Sequence, residues 1–94
     1  MAPGRLIFIV HAIQRMFQRS ISEDDVRHIL SIGEEIESYP HTTPYPSRLL
    51  IGWRGRRILH VVVADNTIDN ETIVITVYEP DASLWEPDFK RRKP

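Results

Sequence analysis

The sequence predicts an α+β fold. Two N-terminal helices pack on one face of a curved, mainly antiparallel sheet of four to five strands, in the order β-α-α-β-β-β-β. Three observations carry the prediction. A β-rich apolar run at 6–10 gives way at His11 to helical spacing, a helix-start signal stands at Ile21 to Val26, and short β-rich runs separated by turn residues follow from Glu34 onward.

Leu6-Ile7-Phe8-Ile9-Val10 reads as the first, buried strand. From His11, Ala12, Ile13, Met16 and Phe17 fall within an arc of about 140°, the width of a core-facing stripe, which predicts a first helix over about 11–19. The second helix begins after Ser22. Ser22 is the expected N-cap, Glu23, Asp24 and Asp25 occupy the first turn where the helix dipole favours negative charge, and Asp25 allows a variant capping box. Ile21 can staple onto Val26; Val26, Ile29 and Leu30 form the inner face, and Gly33 is placed to end the helix.

After Gly33, Glu35, Glu37 and Tyr39 alternate with Ile36 as in a strand with one wet face. Pro40 to Ser47, with three prolines, is a loop. Arg48 to Trp53 and Arg56 to Asp65 form a hairpin through Arg54-Gly55, and Thr72 to Glu79 is the last strand, stopped by Pro80. Uniformly apolar Ile73, Ile75 and Val77 are expected to meet the helices, with Leu59, Val61 and Val63 beside them. Residues 1–94 are then a single domain with 81–94 as a C-terminal tail.

Composition narrows the function. With 94 residues there is one domain, which buries roughly two-thirds of its unfolded-chain surface and offers a shallow groove rather than a deep cofactor cavity. Twelve Lys+Arg against thirteen Asp+Glu give a net charge of -1, so any nucleic-acid or membrane attraction has to be local. No cysteine means no disulfide, no thiolate zinc site and no thiol nucleophile. His11, His28, His41 and His60 lack metal-ligand spacing, and neither GxSxG, GxxxxGK[ST] nor GxGxxG occurs, so neither metal nor cofactor is expected. No run approaches the 18 to 20 or so apolar residues that span a bilayer, and Met1-Ala2-Pro3-Gly4-Arg5 does not open a signal peptide. A cytoplasmic protein without membrane attachment is expected.

Two clusters could carry chemistry. By strand alternation the open face of the sheet collects Tyr39, Arg48, His60 and Tyr78, a set able to hold a phosphate, move a proton and stack a base. His11, Arg15 and Arg19 recur every four residues along one side of the first helix, a basic ridge suited to forked hydrogen bonds with phosphates. Each has a plain alternative, a solvated strand face or helix face. The tail aromatics Trp85 and Phe89 are anchors for the domain or for a partner, and Lys90-Arg91-Arg92-Lys93 is a solubilising end or an RNA contact.

HAIQRMFQRSIS at 11–22, GEEIESYP at 33–40, ILHVVVAD at 58–65 and TIVITVYEPD at 72–81 resemble a widespread bacterial domain-of-unknown-function family. Its members open with His-Ala, two spaced arginines and Ile-Ser; His11, Ala12, Arg15, Met16, Arg19, Ile21, Ser22, Gly33, His60 and Tyr78 match its recurring positions. That family is similar to the RelE/ParE and BrnT toxin superfamily, and the family's own genes often neighbour an antitoxin with an MqsA-like zinc finger. The resemblance covers most of the chain and implies a type II toxin that cleaves mRNA without a metal, on or off the ribosome, or poisons gyrase as ParE-like members do. The lysine-rich catalytic set of RelE is replaced here by arginines, which suit phosphate, and RNA supplies its own 2′-OH nucleophile.

On the ribonuclease reading, one of His11 and His60 takes the 2′-OH proton and the other protonates the leaving 5′-oxygen, Arg15, Arg19 and Arg48 stabilise the phosphorane charge, and Tyr78 orients the phosphate or stacks. Arg19, Arg48, Tyr39 and Arg56 would hold the RNA. The alternative is a non-catalytic toxin or binding module that inhibits a protein target such as gyrase through the arginine ridge and the Trp85/Phe89 tail. An inactive member kept as a small domain is a third. A cognate antitoxin, MqsA-like on the resemblance, would cover the arginine groove with acidic or aromatic residues.

Overall fold

A computed structural model describes residues 4–94. It contains β1 (Arg5–Phe8), α1 (Val10–Gln18), α2 (Glu23–Ile32), β2 (Glu34–Tyr39), β3 (Ser47–Arg54), β4 (Arg57–Asn66) and β5 (Glu71–Tyr78). The strands form one sheet in the order β1-β5-β4-β3-β2. β1 runs parallel to β5 and every other pair is antiparallel, so the α+β expectation holds, with a mixed sheet. α1 lies on β5 and α2 on β3 and β4, both on the same face.

The core lies between helices and sheet. Ala12 and Met16 of α1, Ile21, and Val26 and Ile29 of α2 meet Leu50, Leu59, Val61, Val63, Val74 and Val77. Burying a side chain such as Ile29 or Leu59 contributes roughly 1.5–3 kcal/mol. α2 starts as the sequence predicts: Ser22 Oγ accepts from Asp25 N–H at 3.0 Å, and the Asp25 carboxylate accepts from Ser22 N–H at 2.9 Å. Gly33 ends it in an extended conformation, so its lack of a side chain serves close approach rather than a left-handed turn. A Cβ there would lie 2.4 Å from the Ile29 carbonyl oxygen.

Three expectations about faces are corrected. In α1 only Ala12 and Met16 are buried, whereas Ile13 is 52% and Phe17 89% exposed. The helix touches the sheet along a line between Ala12 and Met16, and nothing among the described residues covers its far shoulder. In β5, register slips between Val62 and Val63, which pair with Thr76 and Val74, so Ile75 is the extra residue of a bulge. Val74 and Val77 therefore face the helices, and Ile73 and Ile75 turn to the other side with Val62 and Ala64.

The third correction concerns β3. Leu50 pairs with Val61 and joins the core, and Gly52 lies under Ile29, so Arg48 stands on the helix side. Leu49 and Ile51 take the opposite face and are buried there as well. Alternation gave no guide because Leu49-Leu50-Ile51 is apolar on both faces, and both faces are covered. Gly55, at φ 62°, turns the hairpin into β4 as expected.

Candidate functional site

The cover on the second face is the C-terminal segment. Residues 84–93 fold into a small hairpin, with Lys93 N–H donating to Leu84 O at 3.0 Å, Glu86 N–H to Arg91 O at 2.8 Å, and a bridge between Trp85 and Arg92. It lies against the face that carries His60. Trp85, 3% exposed, meets the His60 imidazole edge-on, with centroids 4.6 Å apart, and His60 is fully buried. Tyr78, directly opposite His60 in the β4–β5 ladder, is its edge-on neighbour at 5.3 Å.

Hydrogen bonding sets the tautomer of His60. The carbonyl oxygen of Phe89 lies 2.8 Å from Nε2 and can only accept, so Nε2 carries the proton. Nδ1 is then an acceptor for the Tyr78 hydroxyl at 3.3 Å. Burial pushes the imidazole below its ordinary range, while the Phe89 bond and the charge of Glu37 push the other way. The net lowering favours the neutral ring near pH 7. Burial likewise raises the Tyr78 phenol.

A polar cluster adjoins this pair. In β2 a bulge between Glu35 and Glu37 sends Glu34, Glu37 and Tyr39 to the hairpin side and Glu35 to the helix side. Glu37 receives a forked pair from Arg92, Nε at 2.9 Å and Nη2 at 3.1 Å, and a third bond from the Tyr39 hydroxyl. The Arg92 bonds hold the Glu37 carboxyl below its usual range, and burial and Glu37 raise Tyr39. The Arg92 guanidinium also stacks on Trp85, 4.6 Å from the ring centre. Lys90 pairs with Glu34 at 3.0 Å.

Of the residues singled out in the sequence, Tyr39, His60 and Tyr78 do come together. They are covered, not open. His11 and Arg15 lie in the helix layer, on the other side of the sheet, where Arg15 Nε points at His11 Nε2 at 3.5 Å and Nη1 bonds Gln18 at 3.2 Å. Arg19 is committed to the Val77 carbonyl at 2.7 Å, pinning the end of α1 to β5. Arg48 bonds Asp65 through Nε at 2.8 Å, on the face opposite His60. Arg56 is exposed in the β3–β4 turn. The sequence reading missed Glu37, Trp85 and Arg92 as neighbours of His60. The only hint was two aromatics, Trp85 and Phe89, in an otherwise polar tail.

Two grooves stand out among the described residues. One of about 330 Å³ is lined by Arg5, Arg27 and Arg48, but each of these is paired, with Glu71, Glu23 and Asp65 respectively, so it presents little free positive charge. The other, of about 530 Å³, lies beside the hairpin face and is apolar, with Ile9, Pro44, Tyr45, Val62, Ile73 and Ile75 in its walls. Among the described residues no cluster of His, Asp or Glu could hold a metal, and no helix is long and apolar enough to cross a membrane.

Residues 8–79 match the family described as a domain of unknown function, DUF4258. The chain belongs to that family. No match was found among curated proteins or among solved structures. The family unit runs from the end of β1 to the end of β5, so the DUF4258 domain includes His11, His60 and Tyr78 and stops short of the Trp85 hairpin.

Proposed function

We propose that this DUF4258 domain acts by binding a protein, as the toxin component of a type II toxin–antitoxin pair in the cytoplasm. The toxin assignment comes from the similarity of the family to the RelE/ParE and BrnT toxin superfamily. The choice of binding over RNA cleavage rests on one observation: His11 and His60 are separated by the sheet, and His60 is sealed under Trp85. A general acid and a general base must reach the same phosphate, and these two do not share a surface.

The surface that suits a protein is the outer side of α1. Val10 is 70% exposed, and with Ile13 and Phe17 it forms one apolar arc. His11 and Arg15 flank that arc, and no carboxylate among the described residues pairs with Arg15. An apolar segment with acidic residues at its margin complements it, which is the character expected of a cognate antitoxin, MqsA-like on the resemblance, or of a protein target such as gyrase.

The ribonuclease reading keeps one supporting observation, the gathering of Glu37, Tyr39, His60 and Tyr78 on one face. It requires the hairpin to move aside. Inducible expression in a bacterial host, with growth and mRNA 5′ ends followed together, separates the two. Growth arrest with intact mRNA, lost in Phe17→Asp and kept in His60→Gln, is the expected result. New 5′ ends that vanish in His60→Gln would instead establish cleavage, and absence of arrest would overturn the toxin assignment.

A further inference from the structure

We propose that the sheet face bearing Glu37, Tyr39, His60 and Tyr78 is a docking site for an extended basic peptide with an aromatic anchor, that residues 81–94 are the occupant the chain supplies to itself, and that a partner segment of the same chemistry takes the site by displacing them. This site lies on the opposite face from α1 and stands independently of the reading proposed above.

The chemistry of the occupant is read from the groove. His60 Nε2–H is a fixed donor aimed at a main-chain carbonyl, now that of Phe89, and recognises a peptide backbone whatever its side chains. The His60 imidazole offers its ring to an aromatic residue, now Trp85. Two carboxylates of the edge strand β2, Glu34 and Glu37, take cations, now Lys90 and Arg92, and Glu37 does so with the forked geometry that selects a guanidinium. A donor for a carbonyl, an aromatic contact and two acids together describe a site for a basic, aromatic peptide.

Three features make the resident segment exchangeable. It lies outside the family unit, which ends at residue 79. Within 81–94 only Trp85 is buried. Its ion pairs sit at exposed margins, Arg92 being 57% and Lys90 45% exposed, where such pairs add little. The hold thus consists of one buried side chain, the Phe89 carbonyl on His60 and these marginal pairs. Segments held this lightly open separately from the core strands.

The test uses the full chain with a protease site placed in the exposed turn at 82–83 and cut after folding. The cut protein is expected to keep its circular dichroism spectrum and to exchange its tail for a fluorescent synthetic peptide of residues 83–94, followed by anisotropy. Glu37→Gln in the domain, or Arg92→Gln in the peptide, should weaken binding about two- to fivefold, and a Trp85→Ala peptide should not bind. In the uncut chain the amides of Glu86 and Lys93 should exchange with solvent at least about tenfold faster than those of β4. Unfolding on cleavage, failure of the peptide to exchange, or strap amides as protected as those of β4 would show that the segment is a fixed part of the core and overturn the proposal. Concentration-dependent dimers of the uncut chain holding each other's tails would make the occupant a second copy, which also overturns it.

Discussion

The Nε2–H of His60 points at the carbonyl oxygen of Phe89, 2.8 Å away, joining the middle of the sheet to the C-terminal hairpin through a neutral imidazole. Because burial lowers the folded-state pKa below the ordinary 6.5, the unfolded chain binds more protons than the folded one as pH falls. The contribution of His60 is therefore fully present above about pH 6.5 and declines as pH drops through and below that value. Glu37, whose carboxyl is lowered by Arg92, and Asp25, lowered by Ser22 N–H, lose their contributions only in the more acid carboxylate range. Urea unfolding between about pH 7 and pH 5 should show stability falling with acid, and His60→Gln should flatten that slope.

The capping box gives a second prediction. Ser22→Ala removes the acceptor for Asp25 N–H and should cost about 1 kcal/mol, seen as a lower urea midpoint with an unchanged slope. Asp25→Ala removes both the reciprocal bond and the Arg54 pair at 2.9 Å, and should cost at least as much.

Two glycines are occupied by the same neighbour in different ways. A Cβ at Gly33 would collide with the backbone oxygen of Ile29 at 2.4 Å, whereas one at Gly52 would meet the Ile29 side-chain tip at 2.6 Å. Backbone cannot yield as a side chain does. Gly33→Ala should destabilise by about 1–3 kcal/mol and Gly52→Ala by less, with thermal unfolding as the measurement.

Phe17 should matter to binding and not to folding. At 89% exposure, Phe17→Asp is expected to change stability by no more than about 0.5 kcal/mol. Denaturant unfolding checks that part. Pull-down with the product of the neighbouring gene checks the other, and retained capture by the variant would remove α1 from the interface.

Much of the fold was legible because its determinants are local. The Ser22–Asp25 box, the Gly55 turn and the apolar runs of β4 and β5 lie within a few residues of the features they dictate. The faces were less legible. A single inserted residue, Ile75 in β5 or Ile36 in β2, reverses the alternation beyond it, and neither bulge has a glycine or proline to mark it. Ile13 and Phe17 read as core because periodicity reports an apolar arc and not what lies against it.

For the candidate site, sequence alone put His60 and Tyr78 on one face, away from Leu59 and Val61, since alternation along a regular stretch of strand is a local rule, and the structure made them cross-strand partners. It also picked out Tyr39, His11 and Arg15 as residues with chemistry to offer. Only the tertiary structure decided that the sheet divides His11 from His60, that Arg48 belongs with Asp65 on the helix side, and that Trp85, Phe89 and Arg92 close over the imidazole. Those outcomes join residues distant along the chain, and contacts of that kind are set by how layers pack and where strands slip register, which no local spacing encodes.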